Sequence, residues 1–578
     1  PEPWFVEVSN LLNHTHVEDD FDDWARQPLL PRRLSRLGPG LGWYDANDDG
    51  WDDLIISAAT GGQLTIFLNQ AGRGFQAVKA GTPAEHDQGT ALGWADGRGN
   101  RGLLVVESNY DLTHDRESSI RTYALTNLSP GGTLSESRRL PAGAASLGPL
   151  ALADVDGDGD LDLFIGGRFR PGRYPEAVSS ALWLNEAGEW RHSAELSEPL
   201  VNLGLASGAT FCDLDGDGHP DLVVALEWGA LRVFRNREGR FEEMTAPWGF
   251  AEWSGWWTGV SAGDFDGDGR LDLAAGNWGR NAPYELNQPA TLRLYFDDAA
   301  RDGDLLELIE AWQAQGQWFP VRPRPWLARG FPDLPQRIQT HEAYGQTTVP
   351  QLLASRFASA RFVEASYFES AVFLNRGTHF VRVPLPREAQ WAPVFAVHPG
   401  DFNGDGTEDL FVSQNFFGGG SDLSREDAGR GLWLQGTGDG TFLAVDSGVR
   451  LYGEQRAAAL ADFNQDGRVD LAVSQNNGPT ALYLNARARR GLRVRLQGPP
   501  ANPDAVGAQV RLRYPAGRAG PVRGIEAGAG YWSQDSVAQV LGLAGIAESL
   551  WIRWPGGREQ VVALSPDQRE VQVDYETQ

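Results

Sequence analysis

The residues best equipped for chemistry in this sequence are carboxylates set at alternate positions of a glycine-bearing turn. Asp45, Asn47, Asp49 and Asp53 occupy positions 1, 3, 5 and 9 of one such phrase, with Gly50 at position 6 and Trp51 at position 7. The arrangement returns at Asp154, Asp156, Asp158, Asp160 and Asp162, then at Asp213, Asp215, Asp217, His219 and Asp221. Three further copies use Asp264, Asp266, Asp268, Arg270 and Asp272; Asp401, Asn403, Asp405, Thr407 and Asp409; and Asp462, Asn464, Asp466, Arg468 and Asp470. Side-chain oxygens at positions 1, 3, 5 and 9, with the backbone carbonyl at 7, make an oxygen-only donor set of the kind that hard Ca²⁺ takes. An EF-hand is excluded, because position 12 is Ile56, Ile165, Val224 or Ala275 rather than a bidentate Glu. Oxygen-only ligation also disfavours zinc and softer metals. Three or four carboxylates crowded without a cation repel one another, so the loops predict up to six structural Ca²⁺.

These loops must be positioned by a repeated element. Including a degenerate copy starting at Trp94, the phrases begin 49 to 61 residues apart, except for one interval of 137. Around each loop the order is constant: an apolar run, the loop, a short apolar strand, a strand ending in an aromatic-Leu-Asn phrase such as Phe67-Leu68-Asn69, and a last strand near an aromatic such as Phe75 or Phe241. Four short strands per unit is the signature of propeller blades. The reading is therefore all-β, a seven-bladed β-propeller over residues 1–487. The seventh repeat lacks a fourth strand after Tyr483-Leu484-Asn485, and Phe5-Val6-Glu7, which reads like Phe241-Glu242-Glu243, is expected to complete it. In the degenerate copy Trp94 and Arg98 stand at positions 1 and 5, so that loop should not hold calcium, and Arg98 is expected to pair with Asp96.

The long interval carries an insertion in blade five, about 282–365. Helical apolar spacing over Gly303–Trp312 and Val349–Val363 makes it partly helical, with Thr347 or Thr348 ahead of Pro350 as a helix start. From 488 to 578 the repeat is lost while strand patterning persists, which reads as a small separate β domain.

Composition limits the partners. Acidic residues number 77 against 50 basic ones, net −27, which argues against nucleic acid because phosphate binding needs a basic footprint. No run of 18 apolar residues predicts a membrane span. The lone Cys212 excludes intrachain disulfides and reads as a small buried hydrophobe. A start at Pro1 without Met is expected for a processed, exported form, hence a secreted, periplasmic or cell-surface protein with its signal peptide removed.

The repeats resemble FG-GAP/VCBS repeats, the integrin-α-type propeller unit. The C-terminal region resembles the ASPIC/UnbV domain of the cartilage acidic protein-like family, on Asn502-Pro-Asp504-Ala-Val-Gly507-Ala508, Gly528-Ala-Gly-Tyr531-Trp-Ser533-Gln534 and Trp554-Pro-Gly-Gly557. The resemblance implies a secreted or envelope-exposed calcium-binding protein for adhesion, protein interaction or assembly of an envelope complex. It implies no established enzyme activity.

Other features are weighed against plainer readings. Trp253, Trp256, Trp257, Trp278, Trp312, Trp318 and Trp326 make up a third of the 21 tryptophans, as a binding platform or as packing between insertion and propeller. Within them Trp256, Trp257, Asn277, Trp278 and Arg280 form the candidate binding face for a protein partner or surface glycan. His14 and His16 read as solvated loop residues or as a transition-metal pair, and Asn13 and Asn127 head N-glycosylation sequons. No G-x-S-x-G elbow, P-loop or His-Glu-x-x-His phrase is present. A non-catalytic interaction role leads; a polysaccharide-binding or polysaccharide-cleaving propeller is the alternative.

Overall fold

The computed structural model describes residues 2–95, 98, 100–111, 117–126, 128–186, 188–282, 291–298, 306–420 and 423–575. It is mostly β, 42 % strand against 8 % helix, so the all-β class holds. Among the described residues seven sheets share one plan: an inner strand, an antiparallel return after the acidic turn, and two outer strands. The first runs Leu41–Tyr44, Asp53–Ile56, Thr65–Asn69 and Phe75–Ala80. The inner strands of the other six are Gln88–Ala95, Ser146–Ala153, Leu205–Cys212, Val260–Gly263, Val394–Gly400 and Glu454–Ala461. Each packs beside the next, and the last lies against Leu41–Tyr44 of the first. The seventh sheet takes Phe5–Glu7 as its outer strand, antiparallel to Ala481–Asn485 with Phe5 opposite Asn485. That pairing covers an edge that would otherwise expose unpaired amides.

The inner strands are buried along their length, as in Leu205–Cys212 and Glu454–Ala461, with Pro399 of Val394–Gly400 half-buried. Their small residues let the sheets crowd together: a Cβ on Gly208 would lie 2.5 Å from the Thr258 carbonyl, just ahead of the next inner strand, so no larger residue fits there.

The axis between the inner strands is filled from the far end of the chain. Ser533–Gln534 adds a parallel strand beside Leu41 and Gly42. Gln534 Nε2 donates to the Gly93 carbonyl at 3.2 Å, Leu152 N donates to Ala527 O at 2.8 Å, and Trp532 Nε1 donates to Ser207 O at 3.1 Å. Gly530 N donates to Val260 O at 2.8 Å, while Asp535 accepts from Leu460 N at 2.7 Å and meets His398 Nδ1 at 2.9 Å. Residues 527–535 thus touch every inner strand. The remaining C-terminal strands form two small sheets, one around Leu492–Gln497 and one around Gln509–Arg513, sharing their own apolar core.

Between Asp272–Ala275 and Ala371–Asn375 lies a further four-stranded sheet, Gln317–Pro320, Glu307–Ala314, Leu292–Asp297 and Arg361–Ala365, with four short helices. This corrects the helix expected over 303–312. Residues 303–305 lie outside the described residues, and Glu307–Ala314 is a strand whose Leu308–Ala311 stretch is buried on both faces, a pattern that apolar spacing does not distinguish from a buried helix. The second expected helix is present as an α-helix over Val349–Leu353, capped by Thr348 with Gln351 in a reciprocal capping box, and runs on as a 3-10 helix over Ala354–Ala358; Arg361–Ala365 returns to strand.

Candidate metal centres

Each acidic turn joins an inner strand to the second strand of its sheet, so all of them open on one rim. The turn is closed by position 6, where the glycines Gly50, Gly159, Gly218, Gly269, Gly406 and Gly467 have φ from 81 to 94°, a region that side chains penalise. The position-1 carboxylate receives backbone amides from inside the turn, as Gly218 N to Asp213 Oδ2 at 3.0 Å and Gly406 N to Asp401 Oδ2 at 2.7 Å. Position 5 accepts from the amide of position 7: Trp51 N to Asp49, Asp160 N to Asp158 and Arg270 N to Asp268 at 2.9 Å each, His219 N to Asp217 at 3.0 Å, and Thr407 N to Asp405 at 2.9 Å.

Position 9 has a different setting from the others. Asp162 Oδ2 accepts from Val155 N at 2.9 Å and Oδ1 from Asn185 N at 3.0 Å; Asp53, Asp221, Asp272 and Asp409 repeat the pattern. This buried carboxylate therefore ties the turn to the third strand of its own sheet. Burial, opposed by those amides, raises Asp53, Asp162 and Asp272 to about 8 and places Asp221, Asp409 and Asp470 well above the usual carboxylate range. Burial likewise raises Asp154, Asp264, Asp401 and Asp462 to about 6.

In three consecutive turns the carboxylate oxygens of positions 1, 3 and 9 converge to within 4.8 Å of one another: Asp154, Asp156 and Asp162; Asp213, Asp215 and Asp221; Asp264, Asp266 and Asp272. These clusters could hold metal ions. Asp264 Oδ1 is buried without a hydrogen-bond partner, which fits a donor awaiting a cation. In all six turns the position-3 Oδ1 accepts the amide of position 5, at 3.2, 3.1 and 3.3 Å for Asp156, Asp215 and Asp266 and at 3.3, 2.8 and 3.1 Å for Asn47, Asn403 and Asn464; where that residue is Asn, no third carboxylate joins.

Arginines divide the turns further. Asp215 pairs with Arg235 and Asp266 with Arg376. The C-terminal sheets add Arg495 at 3.0 Å from Asp45, Arg553 at 2.7 Å from Asp213 and Arg493 at 3.7 Å from Asp462, while Arg523 meets Glu408 at 2.7 Å. Arg468 turns back on Asp466 at 2.7 Å, and Arg270 on Asp268. The degenerate second turn has its expected Asp96 outside the described residues; Arg101 lies nearby, 2.7 Å from Asp48 and over the Tyr44 ring.

The candidate binding face requires a correction. Trp256, Trp257, Trp278 and Asn277 are each at most 4 % exposed: the inserted sheet and the N-terminal segment close over Trp256 and Trp278, Trp257 packs among Trp248, Phe250, Phe373 and Tyr367, and Asn277 is held by Ser370 and the Tyr367 carbonyl. Arg32 lies between Trp256 and Trp278, 4.2 and 4.0 Å from the ring centres, and pairs with Glu227. Only Arg280 reaches the surface, 3.3 Å from Glu369. His14 and His16 are not a solvated pair: His14 meets Thr480 Oγ1 at 2.9 Å, His16 accepts from Asn477 N at 3.2 Å, and burial lowers them to about 4 and about 3. Cys212 is buried, and Asn127 lies outside the described residues.

One residue of the repeat carries a role its sequence pattern did not show. The Asn that ends the third strand donates Nδ2 to the position-2 carbonyl of the neighbouring sheet's turn: Asn236 to Val155 and Asn69 to Phe463 at 2.8 Å, Asn375 to Leu214 at 2.7 Å, and Asn485 to Phe402 at 2.9 Å. The recurrence of Asn at that place was the available signal. The Asn69 bond joins the first sheet to the seventh.

Comparison with known proteins agrees with the repeat. Residues 213–275 match the FG-GAP-like repeat, and residues 498–578 match ASPIC and UnbV. Cartilage acidic protein 1 of Xenopus tropicalis is 39 % identical over 70 residues, 12 % of this chain and 11 % of that protein. The Homo sapiens protein is 44 % identical over 61 residues, 10 % of this chain and 9 % of that protein, and the Mus musculus protein is 24 % identical over 307 residues, 49 % and 45 %. The chain therefore spans less than half the length of these curated relatives. The solved structure of Saccharomyces cerevisiae Sqt1 is similar at a TM-score of 0.36 and 10 % identity, over 77 % of this chain and 98 % of that chain. Neither matched family is a known enzyme family. The chain carries an FG-GAP-like repeat and an ASPIC and UnbV domain, and it is homologous to cartilage acidic protein 1.

Proposed function

We propose that the seven sheets close as a seven-bladed propeller whose acidic turns bind structural Ca²⁺, and that the chain is a non-catalytic module for protein interaction, adhesion or complex assembly outside the cytoplasm. The observation that carries this reading is the convergence of three carboxylates in each of three consecutive turns, the position-9 carboxylate of each raised well above its usual range by burial. Such crowding is relieved by a divalent cation. The turn of Asp154, Asp156 and Asp162 fits best, since no arginine ion pair neutralises Asp154 or Asp156 among the described residues. Extracellular calcium sites commonly have dissociation constants of about 10⁻⁴–10⁻³ M, which suits a compartment with millimolar calcium and leaves the sites empty in a cytoplasm.

The test begins with metal content. Protein dialysed against millimolar calcium should retain at least three equivalents, and Asp156→Ala, Asp215→Ala and Asp266→Ala, which leave no oxygen donor at position 3, should each remove one. No retained calcium would reject the metal reading. Capture of partners from native envelope material, with calcium and with chelator, tests the interaction role; new reducing ends released from a polysaccharide panel would overturn it in favour of an enzyme.

A further inference from the structure

The rim opposite the acidic turns carries a second gathering of carboxylates, built from distant parts of the chain. The N-terminal segment crosses this rim, held by His16 N to Gly478 O at 2.9 Å, and brings Glu18 and Asp19 against Asp87. One oxygen from each of these three lies within 4.8 Å of the others. Asp87 Oδ1 accepts from Thr60 N at 3.0 Å, and Thr60 Oγ1 lies 3.1 Å from Asp87 Oδ1 and 3.2 Å from Asp111 Oδ2. That hydroxyl has one hydrogen to share between two carboxylates.

The unsatisfied atoms go beyond acidity. Asp111 has a side chain only 10 % exposed; its Oδ2 meets His86 Nδ1 at 3.1 Å, and its Oδ1 has no hydrogen-bond partner. Its charge acts on both Asp19 and Asp87. Asn476, 3 % exposed, donates Nδ2 to Glu18 Oε2 at 2.5 Å and to Gly38 O at 2.9 Å, leaving its Oδ1 unpartnered beside the same group. Glu18 Oε1 and Asp19 Oδ1 are also buried and unpartnered. Buried acceptors without donors are costly. The cations facing the cluster among the described residues are Arg36, near Glu18, and His86 if protonated.

We propose that Glu18, Asp19, Asp87, Asp111 and the Asn476 amide oxygen form a divalent-cation site of the hard, oxygen-preferring class, clamping the N-terminal segment to the ring. Four carboxylates and one neutral oxygen suit Ca²⁺ or Mn²⁺, and the set has no soft donor. Because the donors come from four separated stretches, the ion would act as a staple, unlike one held in a single turn. The site uses none of the acidic-turn residues and stands or falls separately from them.

The test compares Asp87→Asn with the unmodified full chain, in millimolar calcium and in chelator. With calcium the substitution should lower the melting temperature and remove one bound equivalent that Asp156→Ala leaves in place. In chelator the sign should reverse, because one mutually repelling charge has gone. A melting temperature raised or unchanged in both conditions, with no loss of metal, would overturn the site and leave a proton-sharing acid cluster. Should Asp87→Asn fail to fold, Asp111→Asn read by metal count decides the same question: one equivalent lost supports the site, none lost rejects it.

Discussion

Asn236→Ala tests whether the sheets are held to one another by their turns. The side chain is fully buried; Nδ2 donates to Val155 O at 2.8 Å in the preceding sheet, and Oδ1 accepts from Gly239 N at 2.9 Å. Alanine keeps the backbone amide on Asp221 but strands one carbonyl and one amide. Each buried group left unpaired costs roughly 1–3 kcal/mol, and since both lie near the rim, about 3 kcal/mol together is expected. At about 2.1 cal/mol/K of unfolding entropy per residue, a unit of 578 residues has about 1.2 kcal/mol/K. The melting point should then fall by about 2.5 °C in differential scanning calorimetry. Asn69→Ala, which frees Phe463 O of the seventh sheet, should cost as much if the ring is closed. The sixth repeat is the internal control: Gly436 stands in place of Asn, and a Cβ there would lie 2.1 Å from Glu408 O, so Gly436→Asn should destabilise rather than add a bond. A shift below about 0.5 °C for Asn236→Ala, or a much smaller one for Asn69→Ala, would refute the reasoning.

The acidic turns also fix a pH dependence. Carboxylates raised to about 6 and about 8 in the folded chain bind protons that the unfolded chain, near 3.9, has released; their stabilisation is present at low pH and lost as pH rises through 6 to 8. Thermal melts in chelator should therefore fall between pH 5 and 8.5, while the gain from added calcium grows over the same range; a calcium gain that is flat with pH would contradict proton–metal competition. Trp278→Ala, by removing a ring 4 % exposed that stacks on Arg32 and donates to Glu426, should lower stability by about 3–5 kcal/mol; a folded variant of unchanged melting point would show that the ring is not core.

The sequence shows most where periodicity and chemistry coincide. The all-β class follows from the turn-rich repeat, and the likeness of Phe5–Glu7 to Phe241–Glu243 is a likeness of place, since both are outer strands of their sheets. What stays hidden depends on distance. Glu307–Ala314 reads as helix because both faces of that strand are buried over Leu308–Ala311, which removes the alternation that marks a half-exposed one. Trp256 and Trp278 look like a surface platform until the N-terminal Arg32 is placed between them, more than 200 residues away in sequence. His14 and His16 look solvated until Thr480 and Asn477 meet them.

The placement of the C-terminal region bears on the charge of the acidic rim. Its sheets do not stand apart. Residues 527–535 fill the axis, and from that anchor Arg495, Arg553 and Arg493 reach the position-1 carboxylates of the first, fourth and seventh turns. A guanidinium at that position does part of what a cation would do, so those turns depend least on metal. The third turn, with Asp154 and Asp156 among the closest-packed acids and no such arginine, depends on it most. Removing the C-terminal region would therefore do two things at once: open the axis and return three buried carboxylates to mutual repulsion. The seven sheets and the C-terminal region are expected to unfold together, because neither the inner strands nor the acidic turns are satisfied by one of them alone.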